Sequence, residues 1–194
     1  MLSLREASYA LFGAWRLAHF DLQGTTYFDR SPRGALRSFW VAAILLPAYV
    51  IMVLLHLIER PAAIAPAAPV LVHGVAYLIG WTAYQVTVLW LARFMDREAE
   101  GFGYIAMYNW SQLLVMVVVL PISALRVGQM LPEGLTGLLE LLVNLAVIAY
   151  LWFIARAGLQ VGPFAAMGLV AVDLTLSMII LGITDHLALG GRVF

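Results

Sequence analysis

The chain has 194 residues, of which 63% are hydrophobic and 11% are charged, and its eleven arginines balance eleven acidic residues. Soluble domains carry charge on about a quarter of their residues, so this composition excludes a soluble globular protein and predicts a polytopic membrane protein. A net charge of zero provides no basic patch for nucleic acid, and the absence of cysteine excludes disulfides, thiolate metal sites and cysteine nucleophiles.

The first 38 residues are predicted to form a cytoplasmic segment that begins with an amphipathic helix over residues 4–22. Its polar side carries Arg5, Arg16 and His19. Its apolar side consists of Leu4, Leu11, Trp15, Ala18 and Leu22. This separation favours a helix that lies in the membrane interface, and burial of the helix against the membrane spans is the alternative.

A loop is predicted for residues 23–37, with a turn at 29–32. Arg30, Arg33 and Arg37 alternate there with aromatic side chains. Together with Trp15, these arginines suit contact with anionic lipid head groups or with a cytoplasmic partner, although anchoring of a cytoplasmic loop would explain them as well.

Residues 39–187 are predicted to form a five-span transmembrane domain, and residues 188–194 a short exterior tail. The first span, 39–58, has no formally charged residue with histidine neutral. At 1.5 Å per residue its twenty residues cover a hydrocarbon core of about 30 Å. The other predicted spans are 70–94, 104–125, 135–154 and 164–187. The fold class is therefore all-α, a membrane helical bundle preceded by the amphipathic helix.

The connections between the spans are predicted to be short. Residues 93–103 are assigned to a charged cytoplasmic loop, and residues 59–69 and 126–134 to outer connections. Gly158 and Gly162 are assigned to a tight cytoplasmic turn. Because the arginines cluster before the first span, the positive-inside rule places the N-terminus in the cytoplasm and the C-terminus in the periplasm of a bacterial inner membrane.

Several polar side chains fall within the predicted spans, where polar groups are costly and often functional. Asp173, Gln85 and Gln112 lie at a similar depth, roughly 12–14 Å from the cytoplasmic ends of their spans. Asn109 opens the third span, and Glu140 and Asn144 share one face of the fourth.

These polar side chains allow two interpretations. One is a proton-linked or polar-substrate path through Asp173 and Glu140, with no basic partner expected inside the spans. The other is a set of hydrogen bonds between helices that hold the bundle together.

A second group of polar side chains lies at the predicted periplasmic edge. It consists of His56, His73, His186, Glu59 and Asp185. Imidazole and carboxylate groups at one level are candidates for zinc, copper or iron ligation, or for a b-type haem. Ordinary interfacial histidines are the alternative, and the sequence assigns no cofactor.

The sequences F39-W40, P47-A48-Y49 and Y108-N109-W110 occur at the first and third predicted spans. With these residues and its five-span profile, the chain resembles the Yip (Ypt-interacting protein) membrane family, including its bacterial members. The resemblance implies a five-span integral membrane protein and carries no functional residue with it.

No nucleotide-binding, zinc-protease or serine-hydrolase motif is present. The sequence therefore predicts a non-catalytic accessory or assembly subunit, or a membrane organiser. A transporter or channel component is the alternative. The expected partners are membrane lipids, other membrane proteins and further copies of the chain, and not nucleic acid.

Overall fold

The structure, a computed structural model, describes residues 3–59 and 67–188. Within these ranges it contains seven α-helices and one short 3₁₀ helix over Leu22–Tyr27. The α-helices are α1 (Leu4–Ala18), α2 (Pro32–Ser38), α3 (Trp40–Glu59), α4 (Ala67–Phe94), α5 (Glu98–Val127), α6 (Glu133–Leu159) and α7 (Pro163–Ala188). The exterior tail predicted for residues 188–194 lies outside the described residues except for Ala188.

Five helical stretches are long and apolar enough to cross a membrane, and they confirm the predicted all-α polytopic bundle. The first joins α2 and α3 over Pro32–Glu59, and the others correspond to α4, α5, α6 and α7. Their mean hydropathy is highest in the first stretch, at 2.6, and lowest in α4, at 1.3. The low value of α4 reflects the polar side chains that this helix contributes to the interior of the bundle.

Local sequence explains how the first membrane helix begins. The Ser31 side chain accepts a hydrogen bond from the Gly34 backbone N–H at 3.1 Å, and Pro32 occupies the first helical position. Both are preferred at helix N-termini, because the cap satisfies a free N–H and proline has none to satisfy. Pro47 lies inside α3, where packed membrane helices tolerate proline.

The predicted cytoplasmic loop over residues 93–103 is wrong for most of its length, because α5 already begins at Glu98. Gly101 and Gly103 are buried in the first turns of α5. A Cβ on Gly101 would lie 3.2 Å from Leu89, and one on Gly103 would lie 2.9 Å from the Arg30 side chain. These glycines allow close packing instead of breaking the helix.

The tight turn predicted at Gly158 and Gly162, before the fifth span, is shorter in the structure. Gly158 belongs to α6, which ends at Leu159, and the φ of the C-cap residue Gln160 is 53°, in the left-handed region. A Cβ on Gly158 would lie 2.9 Å from Tyr104 Cδ2. Gly158 thus lets α6 approach α5.

The centre of the bundle is α5, which packs against α1, α2, α3, α4 and α6, while α7 closes the bundle against α4 and α6. Residues 101–111, in the N-terminal half of α5, are mostly buried. The outward faces of the spans expose many leucine, isoleucine and valine side chains, which suit contact with membrane lipids.

The N-terminal helix α1 packs on the bundle and also keeps an exposed apolar side. Ala10, Gly13, Ala14 and Leu17 are buried, and the helix contacts α5 and α6. The Tyr150 hydroxyl donates a hydrogen bond to the Ala14 carbonyl at 2.8 Å. The predicted apolar residues Leu4, Leu11 and Trp15 are exposed, and the predicted helix 4–22 is wrong at its end, because α1 ends at Ala18 and Leu22 lies in the following 3₁₀ helix.

Candidate functional site

A cavity of about 350 Å³ lies inside the bundle, between α3, α4, α5 and α7. Its wall is mostly apolar, with polar side chains concentrated toward its two ends. Asp173 and Thr184 both line it, and their separation along α7 corresponds to about 16 Å at 1.5 Å per residue. The cavity therefore extends along the helices. The polar and titratable residues on its wall, apart from tyrosines, are His73, Gln85, Gln112, Asp173, Ser177 and Thr184.

The inner end of the cavity is formed around Asp173. This carboxylate is 6% exposed, and the Tyr108 hydroxyl lies within hydrogen-bonding distance of both of its oxygens, at 3.0 and 2.9 Å. Gln85 and Gln112, predicted to lie at the same depth as Asp173, line the same cavity. Since an ionised carboxylate has about four acceptor sites, Asp173 keeps free acceptor capacity beside Tyr108.

A hydrogen-bond chain behind the cavity wall joins three helices. The Gln85 side chain donates to Asn109 at 2.9 Å, and the Asn109 side chain donates to Ser38 at 2.8 Å. Asn109 and Ser38 are fully buried. Asn109 therefore connects α2, α4 and α5, while the Oε1 atom of Gln85 is buried without a hydrogen-bond partner among the described residues.

The outer end of the cavity contains His73, which is 6% exposed. Its Nε2 atom is buried and has no hydrogen-bond partner within the described ranges. His56 lies beside it, with ring centroids 6.1 Å apart, and the Nε2 atom of His56 lies 3.0 Å from a carboxylate oxygen of Asp185. His56, His73 and Asp185, three of the five residues predicted at the periplasmic edge, are thus neighbours.

The other two outer-edge candidates lie apart from this group. Glu59 pairs with Arg126 at 2.8 Å, and His186 is exposed. In residues 3–59 and 67–188, no group of three or more histidine and acidic side chains has an arrangement that could hold a metal ion. The predicted five-residue constellation does not assemble as one site.

Tyrosine and tryptophan rings cover much of the cavity wall. The aromatic lining residues are Tyr49, Tyr77, Trp81, Tyr84 and Tyr108. The Tyr49 hydroxyl donates to the His73 carbonyl, the Tyr77 hydroxyl to the Ala42 carbonyl, and the Tyr84 hydroxyl bonds that of Tyr104. Because these hydroxyls are already engaged, the tyrosines offer mainly their rings to the cavity.

Glu140 and Asn144 do not line this cavity. Contrary to the expectation that the spans contain no basic partner, Arg126 lies 3.0 Å from Glu140. The pair forms because α5 continues to Val127 and brings Arg126 level with α6. The Asn144 amide donates to the carbonyl of Glu140 in its own helix and is exposed.

The predicted lipid or partner contacts on the cytoplasmic side have different environments. Arg37 pairs with Glu6 at 3.0 Å and with Asp29 at 2.8 Å, whereas Arg33 and Trp15 are exposed. The stem of Arg30 packs on Gly103. Hydrogen bonds from the Ser31 hydroxyl and backbone N–H, and then the charge of Arg37, hold the pKa of Asp29 below its ordinary value.

The tyrosines of the cavity wall were not among the site residues predicted from the sequence. Tyrosine near the ends of spans equally fits the aromatic belt of a membrane protein, so its position alone did not indicate a cavity. The signal that could have identified these tyrosines is their position next to polar residues of the spans, since Tyr84 precedes Gln85 and Tyr108 precedes Asn109. No protein-family model, curated protein or solved structure matches this chain.

Proposed function

We propose that this integral membrane protein binds a small molecule in the cavity between α3, α4, α5 and α7, as a component of a transport system. One observation carries the proposal: the cavity contains the buried carboxylate of Asp173, with Gln112 and His73 on the same wall. A buried carboxylate in a mostly apolar wall is costly unless it has polar or charged partners, so a bound molecule that hydrogen-bonds to Asp173 stabilises the protein.

The arrangement favours binding over ion conduction. Between its polar ends, the wall is dominated by Val115, Leu176, Ile180 and similar side chains. Such a wall suits the apolar body of a molecule and does not provide the continuous row of polar groups that a conducted ion needs. The path predicted from the sequence through Asp173 and Glu140 is replaced in this proposal by one from Asp173 toward His73.

The natural absence of cysteine permits a direct test. Ser177→Cys places a single thiol on the cavity wall, and Thr175→Cys places one on the same helix outside the cavity; both positions are exposed, so they differ in facing the cavity and not in burial. A small water-soluble methanethiosulfonate should modify the Ser177→Cys variant at least tenfold faster than the Thr175→Cys variant, because the reagent attacks thiolate and a lipid-facing thiol stays protonated. Equal, slow modification of both variants would contradict the proposal.

A blocking substitution sharpens this test. A Cβ at Gly80 or at Gly168 meets nothing within 4 Å, but only Gly80 lines the cavity. Gly80→Phe in the Ser177→Cys background should therefore suppress modification, whereas Gly168→Phe should leave it unchanged. Loss of modification in both would show that the effect is not specific to the cavity.

An accessory or assembly subunit is the second candidate function. It is favoured by the contacts between helices that Asn109 and Glu140 make, since Glu140, predicted as part of a transport path, pairs with Arg126 instead. Mild-detergent purification from the native membrane would test it. A stoichiometric partner protein supports this function, and isolation of the chain alone or as a homo-oligomer contradicts it.

A further inference from the structure

The charge on the cavity wall has one sign. Among the described lining residues, Asp173 is the sole carboxylate, and none is arginine or lysine. The titratable side chain at the opposite end is His73. A carboxylate within an apolar wall attracts a cation strongly, because little water is present to screen it.

The hydrogen-bonding groups left free beside Asp173 include a charged acceptor. The hydroxyl of Tyr108 is directed at the carboxylate, and the donor nitrogen of Gln85 is used by Asn109. The carboxylate oxygens of Asp173 keep acceptor capacity for a ligand, while the amide of Gln112 and the hydroxyl of Ser177 on the same wall can both donate and accept. A ligand that donates N–H groups satisfies the carboxylate.

Aromatic rings supply the third element of the site. Tyr84 and Tyr108 lie next to Asp173 along the wall, with their ring centroids 4.8 Å apart. Farther out, Tyr77 lies 4.3 Å from Tyr49 and 6.1 Å from Trp81 between ring centroids. Ring faces attract cations, and ring edges and faces pack well against apolar groups.

We infer that the ligand of this cavity is an organic cation, an ammonium group carried on a compact apolar or aromatic body. The ammonium group lies beside Asp173 and Gln85, and the body extends outward between the aromatic rings toward His73. This inference rests on the proposed function, because it names the ligand class of the same cavity.

Three probes of equal size and different charge test the inference on the purified full chain in lipid nanodiscs. They are phenethylamine, the neutral 2-phenylethanol and the anionic phenylacetate. Isothermal titration calorimetry, corrected with empty nanodiscs for partition into lipid, should show at least tenfold tighter binding of the amine than of the alcohol. Phenylacetate should bind more weakly than either.

Variants at one position show whether the carboxylate is responsible. Asp173→Asn should reduce the preference for phenethylamine at least tenfold, while Asp173→Glu should retain a preference for the cation. Asn144→Ala, on an exposed position outside the cavity, should bind as the natural chain does. If Asp173→Asn fails to fold, the comparison of the three probes on the natural chain still decides.

The outcomes separate the two proposals. Equal binding of amine and alcohol, or tightest binding of phenylacetate, would overturn the cationic ligand and leave the binding cavity in place. Absence of binding by all three probes would overturn both. A preference for the amine that survives Asp173→Asn would overturn the assignment of Asp173 as the group that selects the cation.

Discussion

Close approach of α6 to α5 depends on the absence of a side chain at Gly158. A Cβ there would lie 2.9 Å from the ring of Tyr104 and 3.3 Å from its Cα, and Tyr104 is 1% exposed and has no room to move. We expect Gly158→Ala to lower the free energy of unfolding by about 1–2 kcal/mol, since overpacking costs more than the helix propensity of alanine restores.

The matched control for this substitution is Gly137→Ala in the same helix. A Cβ at Gly137 meets nothing within 4 Å, so the variant should be neutral or slightly more stable. Equilibrium unfolding of both variants in detergent micelles provides the measurement. Equal stabilities of the two variants would contradict the packing role assigned to Gly158.

Asn109 is the residue on which the hydrogen-bond chain between α2, α4 and α5 depends. Asn109→Leu would leave the Ser38 hydroxyl and the Gln85 amide without this partner in the interior. We expect a loss of about 1–2 kcal/mol in the free energy of unfolding. Asn144→Leu removes a hydrogen bond within one exposed helix turn and should change stability by less than about 0.5 kcal/mol.

Part of the cavity could be predicted at the scale of single residues. Counting residues from the span ends places Asp173, Gln85 and Gln112 at one depth, and the structure puts all three on one cavity wall. The same counting could not show that Glu140 pairs with Arg126, because that contact depends on how far α5 extends beyond its apolar core. The depth of a side chain along its span can be counted from the sequence, whereas the residues it contacts depend on how the helices pack.

The N-terminal elements are held together by ion pairs that depend on pH. Arg16 lies 2.5 Å from Asp21, and Arg37 lies 2.8 Å from Asp29. A hydrogen bond from the Gln23 backbone N–H, and then Arg16, lowers the pKa of Asp21 below its ordinary value of 3.8. The pKa of Asp29 is lowered as well.

Lowered carboxylate pKa values have a definite consequence for stability. Their contribution is complete above the ordinary pKa of about 3.8 and is lost as pH falls through the lower folded value. Because these are surface ion pairs and the buried side of α1 also holds it, hydrogen exchange should show a modest decrease in the protection of α1 below about pH 3.8 while α6 keeps its protection. The double variant Asp21→Asn and Asp29→Asn should show a similar decrease already at pH 6, and unchanged protection of α1 in the natural chain down to pH 2.5 would contradict this prediction.

At the scale of elements, long apolar runs predicted the number and order of the spans, because any segment that crosses a bilayer must satisfy its backbone internally. The boundaries were less predictable where glycine occurs. The loop predicted over 93–103 from its charges includes Gly101 and Gly103, yet both lie in α5, where Leu89 and Arg30 pack closely against them. Glycine occurs both in turns and at close contacts between helices, and the packing of the neighbouring elements determines which of the two applies.

The predicted orientation of the whole molecule in the membrane can be tested directly, because the chain has no cysteine. Thr26 and Met130 are exposed at opposite ends of the bundle. With the N-terminus in the cytoplasm, a membrane-impermeant thiol reagent applied to intact spheroplasts should label Met130→Cys and leave Thr26→Cys unlabelled until the cells are lysed. The reverse pattern would contradict the orientation derived from the arginines.

Docking of α1 on α5 and α6 also constrains how the chain is made. This helix is synthesised before α5 and α6, and Tyr150, which bonds Ala14, follows Ala14 by more than a hundred residues. Until α6 has entered the membrane, the surface on which α1 docks is incomplete, so α1 stays undocked. Docking of α1 therefore comes late in assembly, after α6 has been synthesised. In a nascent chain arrested after α4, α1 should be accessible to protease.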